Sequence, residues 1–169
     1  MTDGLSCTCA MPLAWHPADL DERARQRLLR EAALLLAALN QMEGTHEMEG
    51  GGTDNRRMER LEAKLDLALH LLARTLEPGA APPIRNVVLS PLAVTWDDTQ
   101  APAAGTPLLL ELRPSELLPL TLRLPALAEA PQQGQARARL GKLSEALDDA
   151  LHQFVFRRHR QAIRARTGG

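Results

Sequence analysis

The chain has no tyrosine, and only two tryptophans and two phenylalanines in 169 residues. Its core must therefore be built from Leu, Val and Ala, and the aromatic platforms on which single-stranded nucleic acids stack are scarce. Long apolar runs are missing too. The longest, Ala32 to Leu39, has eight residues, far short of the roughly 20 needed to span a bilayer, so no membrane insertion is expected. Charge of one sign is not in excess: 20 Lys and Arg stand against 21 Asp and Glu, and no global field calls for nucleic acid or an anionic membrane. Cysteine is limited to Cys7 and Cys9. One Cys-x-Cys supplies two ligands where structural zinc takes four, so the pair reads as free thiols in a reducing cytoplasm. The first residues lack the basic and long apolar parts of a signal peptide, and a cytoplasmic location is the expectation.

What the chain does have is helix-forming pattern. The length suits one domain with an appended helical arm. His16-Pro17 is expected to open a first helix over about 17–43, with Asp19, Asp21 and Glu22 near its positive end and a stripe of Leu20, Ala24, Leu28, Leu35, Leu39 and Met42. Gly44 to Thr53 is polar and glycine-rich and reads as a loop; its His46, with Glu43, Glu47 and Glu49, reads as a solvated acidic segment. A second helix is expected over about 54–77, ended by Pro78-Gly79. Along it Met58, Leu61, Leu65, Ala68 and Leu72 recur at alternating three- and four-residue steps, the a and d positions of a heptad, with Glu62 and Lys64 flanking. Leu67, Leu69, Leu71 and Leu76 widen the apolar surface beyond one seam. One face is thus expected to meet other copies of the chain while another covers its own domain; the alternative is an ordinary buried helix of a single domain.

After a Pro-rich bridge the period changes. Residues 86–90, 94–96, 107–113, 118–124 and 135–140 are short β-prone segments, Leu118, Leu120, Leu122 and Leu124 alternating with Pro119, Thr121 and Arg123. Several short antiparallel strands in succession suggest a small barrel. Ser144 is placed to cap a last helix over about 145–166, with Leu147, Leu151, Phe154 and Val155 on its apolar face and five arginines in its final ten residues, 157–166. The reading is an α+β chain: a helical arm at 1–78, then a barrel with a C-terminal helix at 79–169, in one integrated unit.

Catalytic chemistry finds no support. Ser90 sits in no Gly-x-Ser-x-Gly setting. Asp148, His152 and His159 share roughly one helix face without a fourth ligand, and Asp97-Asp98 reads as a turn, so no metal site is expected.

Leu89-Ser-Pro-Leu-Ala93 followed by Val-Thr-Trp96 resembles the second-strand signature of PilZ domains, and Gln135 to Ser144 resembles their closing strand and the start of their C-terminal helix. Arg60 to Ala73 and Phe154 to Arg166 resemble the atypical, tetramer-forming PilZ family, whose members place extra long helices before the barrel and associate through them. The resemblance covers nearly the whole chain. It implies a bacterial regulatory protein in cyclic di-GMP signalling, with cyclic di-GMP as a possible ligand, no other cofactor, and a homo-oligomer, taken as a tetramer.

The standard PilZ site joins Arg-x-x-x-Arg before the barrel to Asp/Asn-x-Ser-x-x-Gly on it. Here the second motif becomes Val88-x-Ser90-x-x-Ala93, and Arg56-x-x-x-Arg60 falls inside the heptad helix. The standard mode of nucleotide binding is therefore not expected. If a ligand binds otherwise, the candidates are Arg85, Ser90, Arg157, Arg158 and Arg160. The function expected is a noncatalytic receptor or adaptor acting through an unidentified protein partner. The alternatives are an interaction module that has lost the nucleotide, or nucleic-acid binding by the C-terminal arginines, which would fall steeply with salt.

Overall fold

The computed structural model describes residues 5–44, 54–75, 81–116, 118 and 120–167. Its elements run β1 (Cys7–Pro17), α1 (Glu22–Gly44), α2 (Asp54–Thr75), β2 (Ile84–Leu89), β3 (Ala93–Asp97), β4 (Pro107–Leu112), β5 (Leu122–Gln132), β6 (Gln135–Leu140) and α3 (Glu145–Thr167). The six strands close into an antiparallel barrel in the order β1-β2-β3-β6-β5-β4. The α+β barrel expected from the sequence is thus the fold observed.

Alternating residues fill the barrel: Val87 and Leu89, Val94 and Trp96, Leu108, Leu110 and Leu112, Ala136 and Ala138 are all buried. Trp96 lies opposite Ala136 across the β3–β6 pair, so the bulkiest side chain of the core faces one of the smallest, the large–small alternation that fills a barrel without overpacking. The β5–β6 hairpin turns through Gln133 and Gly134 at φ of 52° and 80°, the left-handed pair that a two-residue hairpin demands.

The largest departure from the sequence reading is at the start. Residues 7–17 form a strand where a helix was expected to open at His16-Pro17, and α1 begins at Glu22. Asp21 caps it, its Oδ1 accepting the Ala24 N–H at 2.6 Å. Pro17 ends β1 opposite Leu108. The two helices are therefore an insertion between β1 and β2. β1 closes the barrel by changing partner at Pro12: residues 7–12 pair with β2 and residues 13–17 with β4. Its inward residues Cys7, Met11 and Leu13 are buried, a period-two pattern interrupted to the eye by Pro12.

Two smaller differences follow from pairing. Leu118 and Leu120 precede β5 rather than belong to it, while β5 continues past Leu124 to Gln132 because β6 runs alongside its second half. The glycine-rich loop expected after Gly44, with His46, Glu47 and Glu49, lies outside the described residues, as do Leu76 and the Pro78-Gly79 stop.

α3 closes the assembly as expected. Ser144 Oγ accepts the Leu147 N–H at 3.3 Å, and Leu147, Leu151, Phe154 and Val155 are fully buried. α1 packs against both α3 and β5, and α2 packs against α1.

Candidate ligand site and oligomerisation face

α2 divides its apolar residues between two faces. Leu67 is buried and Leu71 half-buried against α1. Met58, Leu61, Leu65 and Leu72 are 59%, 55%, 61% and 63% exposed, and Ala68 and Leu69 are exposed beside them. Four large apolar side chains at heptad spacing thus stand in water, a concentration rare on a surface without a partner.

The candidate ligand residues are dispersed. Arg85, near the start of β2, donates from Nη1 to the Asp97 carbonyl at 2.8 Å and from Nε to the Leu13 carbonyl at 3.2 Å. Its Nη1 also lies 3.3 Å from Asp98 Oδ2. That same oxygen accepts the indole N–H groups of Trp15 at 2.7 Å and Trp96 at 3.2 Å. Burial pushes the Asp98 carboxyl up, but the Trp15 indole, the Gln100 N–H, the Trp96 indole and Arg85 outweigh it and hold it below the usual carboxylate range. Asp97 is lowered as well, by hydrogen bonds from the amides of Gln135 and Asn86. Arg85 is thus one member of a polar cluster that ties β1, β2 and β3 at one end of the barrel.

Ser90 stands five residues further along the strand direction, about 16 Å away for extended chain. Its hydroxyl closes the β2–β3 turn: Oγ donates to the Ala93 carbonyl at 3.0 Å and accepts the N–H of Ala93 at 3.0 Å and of Leu92 at 3.3 Å. Val88 offers no hydrogen bond from its side chain, and Ala93 is buried. Arg56 and Arg60 are exposed on α2.

The arginines of α3 divide. Arg157 is buried and turned toward α1, donating from Nη1 to Asn40 Oδ1 at 2.9 Å and from Nη2 to Glu43 Oε2 at 2.6 Å. Arg158 Nη2 donates to Glu43 Oε1 at 3.2 Å and to the Pro114 carbonyl at 2.9 Å. Both guanidiniums lie over the Phe154 ring, 5.5 and 5.3 Å from its centroid, a stabilising cation–π arrangement. The acid that pairs with them is on the same chain. Arg160 is exposed and lies 5.7 Å from the Phe156 centroid. The structure therefore brings Arg157 and Arg158 together on Glu43, and leaves Arg85 and Ser90 at opposite ends of β2.

Neither candidate metal constellation assembles. His152 Nδ1 lies 2.9 Å from the Asp148 carbonyl and His159 Nδ1 lies 3.1 Å from the Ser6 carbonyl. Among the described residues no group of three or more metal-ligating side chains is present, and no helix is long and apolar enough to cross a membrane. Sequence reading missed the Trp15–Asp98 hydrogen bond beside Arg85, because it joins positions 83 residues apart.

The six-stranded barrel with its three helices is a PilZ-like fold. The family model for the atypical PilZ domain, cyclic di-GMP receptor, matches residues 33–167, and the chain belongs to that family. Among solved structures it is similar to a protein from Xanthomonas campestris described as a pathogenic protein with a new tetrameric PilZ domain, self-assembled via an unusual helical bundle. The likeness has a TM-score of 0.70 and 31% identity, over 96% of this chain and 92% of that one. Comparison with curated proteins gave no match.

Proposed function

We propose that this protein is a noncatalytic bacterial regulator of the cytoplasm, assembled through α2, that serves cyclic di-GMP signalling by contact with another protein rather than by holding the nucleotide in the standard PilZ manner. The observation that carries this reading is the exposed apolar stripe Met58, Leu61, Leu65, Ala68 and Leu72. Burying a leucine side chain is worth about 2 kcal/mol, so a stripe of this length has strong reason to meet its own copies. The Xanthomonas relative, tetrameric through a helical bundle, supports a tetramer here.

The reading of the nucleotide rests on the side chains at the motif positions. Valine and alanine stand where the standard site has a polar side chain and glycine, the Ser90 hydroxyl is engaged in its own turn, and Arg157 and Arg158 bind Glu43. A guanidinium already held by carboxylate must break that pair before it can grip a phosphate.

Two measurements test the proposal. Light scattering on the purified protein should give four times the chain mass, and a monomer at all concentrations would end the assembly reading. Calorimetric titration with cyclic di-GMP should give no heat. Micromolar or tighter binding would instead make the protein a receptor with a rebuilt pocket.

A further inference from the structure

β4 pairs with β1 as far as Leu112, then leaves it: the Arg113 N–H bonds the Pro12 carbonyl at 3.0 Å, where β1 itself changes partner. The first half of β1, the segment that follows β4 and α3 are thereby left around a cavity of about 650 Å³. Its polar lining is Cys9, Arg113, Ser115, Glu116 and Arg158, with Met11 as part of the apolar wall. The Nε of Arg113 is buried with no hydrogen-bond acceptor among the described residues. A buried donor without an acceptor is costly, and the charge of the Arg113 guanidinium favours an acidic group in the cavity it lines.

The geometry points to Cys9 as a covalent modification site for small disulfides that carry acidic groups, drawn into this cavity by Arg113. The site depends on Cys9 being half-exposed at the cavity while Cys7, on the same strand face, is buried. The two thiols share a hydrogen bond, which holds the proton on Cys7 and pushes it up, together with burial. The same bond lowers Cys9, against the opposing effect of its own burial, and Arg158 lowers it further. The thiolate is the nucleophile in disulfide exchange.

In the exchange the Cys9 sulfur, having lost its proton to solvent, attacks one sulfur of the incoming disulfide. A new S–S bond joins Cys9 to half of the reagent while the reagent's own S–S bond breaks, and the other half leaves as a thiolate that takes up a proton. The Cys9 sulfur rises by one oxidation level on entering the disulfide and the departing sulfur falls by one, so no other oxidant is needed.

The test compares two probes on the full-length protein: dithionitrobenzoate, a dianionic disulfide, and dithiodipyridine, a neutral one. For each, the reaction rate is divided by that of free cysteine, and the labelled residue is located by peptide mass spectrometry. Electrostatic focusing into a lined cleft raises encounter rates about tenfold or more. The expected result is a preference of that size for the anionic probe, label on Cys9, and loss of the reaction in Cys9→Ser. Arg113→Gln should abolish the preference while leaving the neutral probe's rate unchanged. Glu116→Gln, which removes an opposing charge from the lining, should increase it. Equal normalised rates for the two probes on the wild-type protein would overturn the proposal, as would label on Cys7.

Discussion

Arg157 Nη2 lies 2.6 Å from Glu43 Oε2, tying the middle of α3 to the last turn of α1. The other Glu43 oxygen takes Arg158, and Asn40, which accepts Arg157, donates in turn to the Ala150 carbonyl at 2.9 Å. An arginine run that looks from its sequence like a surface for anions is in part the fastening between the inserted helices and the helix that closes the barrel.

Removing one partner of this pair should cost more than removing an exposed arginine. Arg157→Ala leaves Glu43 with Arg158 alone and Asn40 Oδ1 without its donor, and about 2 kcal/mol of stability is expected to go. Arg160→Ala should change stability by less than about 0.5 kcal/mol. Urea unfolding of the two variants beside wild type checks both.

Placing aspartate at Leu65 and Leu72 should dissociate the assembly, because each carboxylate would be buried without a partner in the seam. Both positions are exposed in the single chain, so the circular dichroism spectrum should stay that of the folded protein while light scattering falls to the monomer mass. Loss of the fold together with assembly would show that α2 cannot stand alone.

Ser90→Ala should lower stability by about 1 kcal/mol, the usual worth of a side-chain hydrogen bond lost from a turn, and should leave titration with cyclic di-GMP unchanged. A change in ligand binding without a change in stability would return Ser90 to the list of nucleotide contacts.

Asp98 supplies a pH dependence. Its carboxyl is depressed in the folded protein, so its contribution to stability is complete above the unfolded carboxylate value of about 3.9 and is lost as pH falls through the lower folded value. Thermal melts of wild type and Asp98→Asn should therefore differ most above that unfolded value, and converge as the pH drops below it. A constant difference across the acid range would remove Asp98 from the acid-sensitive groups.

Where local pattern and packing agree, the sequence was a reliable guide. Leu147, Leu151, Phe154 and Val155 on α3, and the alternation of Ala136, Ala138 and Leu140 on β6, point inward as their spacing implies. β1 was not legible because its alternation relies on Cys7 and Met11 as apolar residues and because Pro12 looks like a break. In the structure Pro12 stands where the strand trades one neighbour for another, a position that tolerates a missing N–H. The candidate ligand residues were legible only as residue types. The acid that holds Arg157 and Arg158 lies far away along the chain, Glu43 being 114 residues from Arg157, and no local pattern encodes such a meeting.

The elements with strong periodicity follow from local pattern alone: the heptad stripe of α2, the capped α3, and most of the barrel strands, because side-chain spacing and capping chemistry act over a few residues. The sequence also carried the valine and alanine at the motif positions, which are matters of identity alone. Long-range packing sets the rest: Cys7–Pro17 closes the barrel, Arg157 and Arg158 meet Glu43, and Cys9 shares a cavity with Arg113 and Arg158. Each of those contacts joins segments distant in sequence, and closing the barrel is what brings them within reach.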